Sequence, residues 1–82
     1  MYKTNAMTLK EYIELIKYIE INHSFGKLKG KHIKYIEHSF DFRTNTVFCV
    51  KLRPVCGYEV IFSTTHNDRN LKECIYEWLE EE

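Results

Sequence analysis

The chain reads as an α+β domain with the order helix, three antiparallel strands, helix (αβββα), both helices packed on one face of the sheet. Three observations predict this. Apolar residues recur with a period of 3.6 near both ends of the chain, the middle is rich in β-branched and aromatic residues that alternate, and a Pro-to-Gly turn joins two of the alternating runs.

The first helix begins at Thr8. Glu11 stands three residues on, the spacing of a capping box. Leu9, Tyr12, Ile13, Ile16 and Ile19 then fall on one face, Leu15 widens the stripe, and Tyr18 and Ile21 lie outside it. The run Asn22-His23-Ser24-Phe25-Gly26 favours caps and turns and ends the helix. Gly26 to Lys31 reads as a loop. In the segment 33–42 the alternation of Ile36, His38, Phe40 and Phe42 favours a strand over a helix, with a bulge near Tyr35. Arg43 to Thr46 forms a turn.

Val47-Phe48-Cys49-Val50-Lys51-Leu52 follows as a strand, with Phe48, Val50 and Leu52 on its apolar face. Pro54-Val55-Cys56-Gly57 turns the chain, because Pro presets its φ and Gly accepts a positive one. The segment 58–64 returns with Tyr58, Val60 and Phe62 on one side. In the last helix Leu71, Cys74, Ile75, Trp78 and Leu79 repeat at i, i+3, i+4, i+7 and i+8, with Asn67 or Asp68 as the expected cap. Two amphipathic helices bury their stripes together by covering the same sheet face. The other face stays open and carries Cys49, Lys51, Arg53, Glu59, Ile61 and Ser63.

The 82 residues form one domain, with 1–7 and 80–82 expected to fray. At this size folding buries only about 60–65% of the chain's surface, so the core must be dense. A content of 44% hydrophobic and 15% aromatic residues, with one Pro and three Gly, supplies it and argues against disorder. No apolar run approaches a membrane span, and Met1 to Ala6 has no secretory apolar stretch. Cys49, Cys56 and Cys74 therefore read as reduced thiols of a cytoplasmic protein, packing as small apolar residues.

Charge is polarised within a net of zero. Residues 27–53 carry seven basic residues against Glu37 and Asp41, a net of +5, and residues 54–82 carry two against seven acids, a net of −5. The two regions can face and partly neutralise each other, or each can meet a partner.

The residues that could carry chemistry do not assemble a reaction motif. His23, His32, His38 and His66 have no ligand spacing to the cysteines, so neither a metal nor a cofactor is expected. No Ser or Cys sits in a strained glycine turn, which leaves His38 and His66 as candidates for a small enzyme and no assigned catalytic residue. Lys27, Lys29, Lys31 and Lys34 surround a glycine loop and could hold backbone phosphates without reading sequence. The element order resembles that of double-stranded-RNA-binding domains in topology only. The start of the last helix, where those domains cluster lysines, has just Arg69 and Lys72 as basic residues. Glu73, Glu77, Glu80, Glu81 and Glu82 cluster toward the end of the last helix, where negative charge opposes the helix dipole, so helix stability does not explain them.

By elimination the chain is expected to be a non-catalytic protein-binding module, accessory or inhibitory. Its candidate partner residues are Glu73, Glu77, Glu80, Ile61, Lys51 and Arg53. A homodimer is a further option, a membrane is not an expected partner, and nucleic-acid binding through Lys27–Lys34 is the alternative.

Overall fold

Thr8 opens the first helix as its spacing from Glu11 requires. In the computed structural model, which describes residues 6–23, 32–64 and 70–81, the Thr8 hydroxyl accepts the Glu11 N–H at 3.1 Å and Glu11 Oε1 accepts the Thr8 N–H at 2.9 Å. The box satisfies two donors at the start of the helix. Helix α1 runs Leu9–Asn22 and closes at His23, whose N–H donates to the Ile19 carbonyl. Just before the box, Met7–Thr8 form a two-residue strand, β1.

Three longer strands follow: β2 (Ile33–Asp41), β3 (Thr46–Pro54) and β4 (Val60–Ser63). They pair antiparallel as a meander, with β3 in the centre. The turn between β2 and β3 uses Asn45 at φ 58°, a conformation Asn tolerates, and the turn after Pro54 uses Gly57 at φ 112°. On the side of β3 away from β2, β4 pairs with Cys49–Leu52 and β1 pairs with Thr46–Val47. Helix α2, Leu71–Glu80, closes the described fold. Its cap is Asn70, whose side-chain oxygen accepts the N–H groups of Lys72 (2.9 Å) and Glu73 (3.4 Å). This corrects the expected cap at Asn67 or Asp68, which lie outside the described residues.

Both helices cover one sheet face, as the sequence predicts. His38, Val50 and Phe62 stand opposite one another across the three strands and so share a face. Tyr12 of α1 stacks on His38 at 4.4 Å between ring centroids, and Trp78 of α2 meets Phe62 edge-on at 6.1 Å. Between the layers lie Tyr12, Leu15 and Ile19, the strand residues Ile33, Val47, Val50 and Leu52, and Leu71, Ile75 and Leu79. The helices meet each other through Tyr18 and Tyr76, edge-on at 4.9 Å, and through an ion pair of Lys72 with Glu11 at 3.7 Å.

Several expected faces are corrected. The α1 stripe centres on Tyr12, Leu15 and Ile19, so Tyr18 turns inward onto Tyr76, and Leu9 and Ile13 are exposed. Met7, expected in a frayed segment, is fully buried and pairs with Val47. Val47 replaces Phe48 in the core because β3 carries an extra residue there: Ser39 stands opposite Cys49 but Phe40 opposite Val47. That bulge breaks the alternation, buries Val47 completely and leaves Phe48 38% exposed. Phe42 lies beyond β2 in the turn and is 88% exposed, and Tyr58 precedes β4 and is 91% exposed. Cys56 is exposed in the bend after Pro54, whereas Cys49 and Cys74 are half-buried. No helix among the described residues is long and apolar enough to cross a membrane.

Candidate partner-binding face of the sheet

Alternation along the strands sends every second side chain away from the helices. On β3 these are Cys49, Lys51 and Arg53. Register sets their neighbours in three rows. Tyr35 stands opposite Arg53, Glu37 opposite Lys51 and then Ile61, and Ser39 opposite Cys49 and then Ser63. The β2 bulge at Lys34 comes just before the first row and lets Ile33 point inward as Ile36 does, while Tyr35 between them points out.

The rows are tied together by polar contacts. The Arg53 guanidinium lies 5.9 Å from the centroid of the Tyr35 ring, within cation–π range. The Tyr35 hydroxyl donates to Glu59 Oε2 at 3.2 Å, which connects β2 to the segment before β4. Lys51 Nζ and Glu37 Oε1 stand 3.9 Å apart. Exposed pairs of this kind are worth about 0–1 kcal/mol, so they position side chains more than they stabilise the fold. A small cavity of about 50 Å³ lies beside them, lined by Glu37, His38, Ser39, Cys49 and Lys51. Ile61, 48% exposed, supplies the apolar centre of the face.

The candidate residues fall into separate places. Lys51, Arg53 and Ile61 come together on the open face, as alternation predicts. Glu73, Glu77 and Glu80 are exposed on α2, on the far side of the sheet, so they form a separate surface. Of the basic cluster only Lys34 is described, exposed at the β2 bulge, and Lys27, Lys29 and Lys31 lie outside the described residues, as does His66. Among the described residues of the basic middle segment, Lys51 meets Glu37 and Arg43 meets Asp41 at 3.7 Å, both pairs within the segment. The side-chain bond from Tyr35 to Glu59 crosses toward the acidic segment.

His38 points to the helix side, where its Nδ1 shares a 3.0 Å hydrogen bond with the Tyr12 hydroxyl. Burial pushes the Tyr12 phenol up to about 12, and burial with nearby Glu14 and Glu11 also raises that of Tyr76. Both hydroxyls therefore stay protonated through neutral pH. Among the described residues no group of three or more His, Cys, Asp and Glu is placed to hold a metal ion. Sequence reasoning did not assign Tyr35, Glu37 and Ser39 to this face. The period of β2 would have shown all three, because they alternate with Ile36, His38 and Phe40. Comparison with protein-family models, with curated proteins and with solved structures yields no match to this chain.

Proposed function

We propose that the chain is a non-catalytic protein-binding module, accessory or inhibitory in role, that engages its partner through the open sheet face. The observation that carries this reading is the cluster of Arg53, Tyr35, Lys51 and Ile61, held in register on a rigid sheet. Tyr and Arg beside an apolar anchor are the residue types that dominate protein interfaces, and pre-positioned side chains lose little entropy on binding. No element of the described fold covers this face, and its polar ties leave it wettable in the free protein.

The test is affinity capture with the purified chain, followed by calorimetric titration of the captured partner against variants. Ile61→Asp and Arg53→Glu should each weaken binding by roughly 30-fold, the scale of an interface hot spot. Reversing Glu73, Glu77 and Glu80 to Lys should change it by less than about 3-fold, as for charges outside an interface. The reverse pattern would move the site to α2. Salt-sensitive capture of nucleic acid, lost when Lys27, Lys29 and Lys31 become Glu, would replace this reading with phosphate contact.

A further inference from the structure

The outer edge of β2 offers a surface separate from the open face. Strand β2 has nine residues and pairs only with β3 among the described residues. The ladder tells which backbone groups face outward. Thr64 N–H donates to the Phe48 carbonyl at 3.2 Å, flanking the Cys49–Ser63 pair, so Cys49, Lys51 and Arg53 turn their N–H and C=O groups away from β4 and toward β2. Their opposites Ser39, Glu37 and Tyr35 turn toward β3 in return. Ile36, His38 and Phe40 therefore present their N–H and C=O groups on the free edge, and such an edge is a template for another strand.

The apolar flank lies on the same side. Helix α1 meets α2 through Glu11 and Tyr18. At 100° per residue, Leu9 and Ile13 project from the opposite side of α1, away from α2, and both are exposed; Tyr12 sets α1 against His38 of β2 and Trp78 sets α2 against Phe62 of β4, so this is the β2 side of the helix. Phe42 continues the row past the strand end, its ring edge-on to Phe40 at 5.3 Å.

We propose that two copies of the chain pair antiparallel through the free edges of β2, about a two-fold axis at His38. Strand overlap and charge together select that register: centring on Phe40 leaves only Ser39–Asp41 paired within β2, and centring on Ile36 runs the ladder into the bulge at Lys34. Centring on Glu37 would oppose two carboxylates, and centring on Ser39 would oppose Glu37 to the partner's Asp41. Centring on His38 sets Ile36 against the partner's Phe40 and Glu37 against the partner's Ser39, with the outward N–H and C=O groups in hydrogen-bonded positions. The same symmetry places the two α1 helices antiparallel on one face, where the Leu9–Ile13 row of one copy faces that of the other. This burial is needed, because stable interfaces bury about 1,200 Å² or more and a short strand pair alone falls below that.

Opposite substitutions at one exposed position test the register. Ser39→Glu puts a carboxylate against the partner's Glu37 twice per dimer, and Ser39→Lys puts an ammonium there. Sedimentation equilibrium should show the wild-type chain dimerising. Ser39→Glu should weaken the dimer and Ser39→Lys tighten it, each by roughly 2- to 30-fold for two cross-strand pairs. Ile13→Glu, on α1, should also dissociate it, with circular dichroism checking that each variant is folded. A wild-type chain that stays monomeric at several hundred micromolar overturns the proposal, as does a dimer that responds equally to Ser39→Glu and Ser39→Lys. Partner capture through the open face is unaffected by either result, because Ile61 and Arg53 lie away from this edge.

Discussion

The two faces of β3 differ as sharply as any two regions of the molecule. Val47, Val50 and Leu52 are sealed under the helices, and Cys49, Lys51 and Arg53 stand on the open side of the same strand. Neighbouring residues thus do different work. One set excludes water and holds the fold, and the other lines up a thiol and two cations whose exposed contacts contribute little to stability. The open face can therefore change composition without disturbing the core beneath it, because the backbone ladder is common to both and the side chains are not.

The largest break in this comparison comes at Leu52 against Lys51. Leu52→Ala should destabilise by about 2–5 kcal/mol, a large part of the total for a domain this small, while Lys51→Ala should stay within about 0.5 kcal/mol. Urea unfolding of both variants measures the contrast, and similar costs would mean that the faces are not separated. A finer probe is the bulge. Simple alternation buries Phe48, whereas the structure buries Val47. Val47→Ala should cost on the order of 2 kcal/mol and Phe48→Ser about 1 kcal/mol or less. The opposite ranking would restore unbroken alternation.

The subtlest probe is alkaline titration of the covered side. The Tyr12 pKa is raised by burial from 10 to about 12, so the folded state holds a proton that the unfolded chain releases. Its contribution to stability is complete below pH 10 and is lost as pH rises toward 12. Ultraviolet absorbance titration should show a late phenolate step that Tyr12→Phe removes. Persistence of that step in the variant would assign it to another tyrosine.

Local patterns made much of the fold legible. The α2 stripe, the Thr8–Glu11 box, the Pro54–Gly57 turn and the bulge near Tyr35 follow from spacing or residue chemistry that acts within a few residues. What escaped depends on partners distant in sequence. β1 exists because Met7 finds Val47, and nothing in a two-residue segment announces that. On α1 apolar residues surround most of the helix, so Tyr18 and Leu9 exchange roles according to where α2 sits. Phe48 was misassigned because a bulge is a property of two paired strands. The site divides in the same way. Lys51, Arg53 and Ile61 follow from alternation, and Tyr35 is open to the same reading, whereas the α2 glutamates prove to stand on the other side of the sheet.

The shared edge of β3 also carries a consequence for chain entropy. β4 reaches it by a short turn, with Val60 only eight positions from Leu52, whereas Met7 of β1 comes from forty positions before Val47. Loop closure grows with the logarithm of length, so joining β1 costs about 1.4 kcal/mol more than joining β4. Two residues of backbone pairing offer little against that. The complete burial of the Met7 side chain is what keeps the N-terminal strand on the sheet.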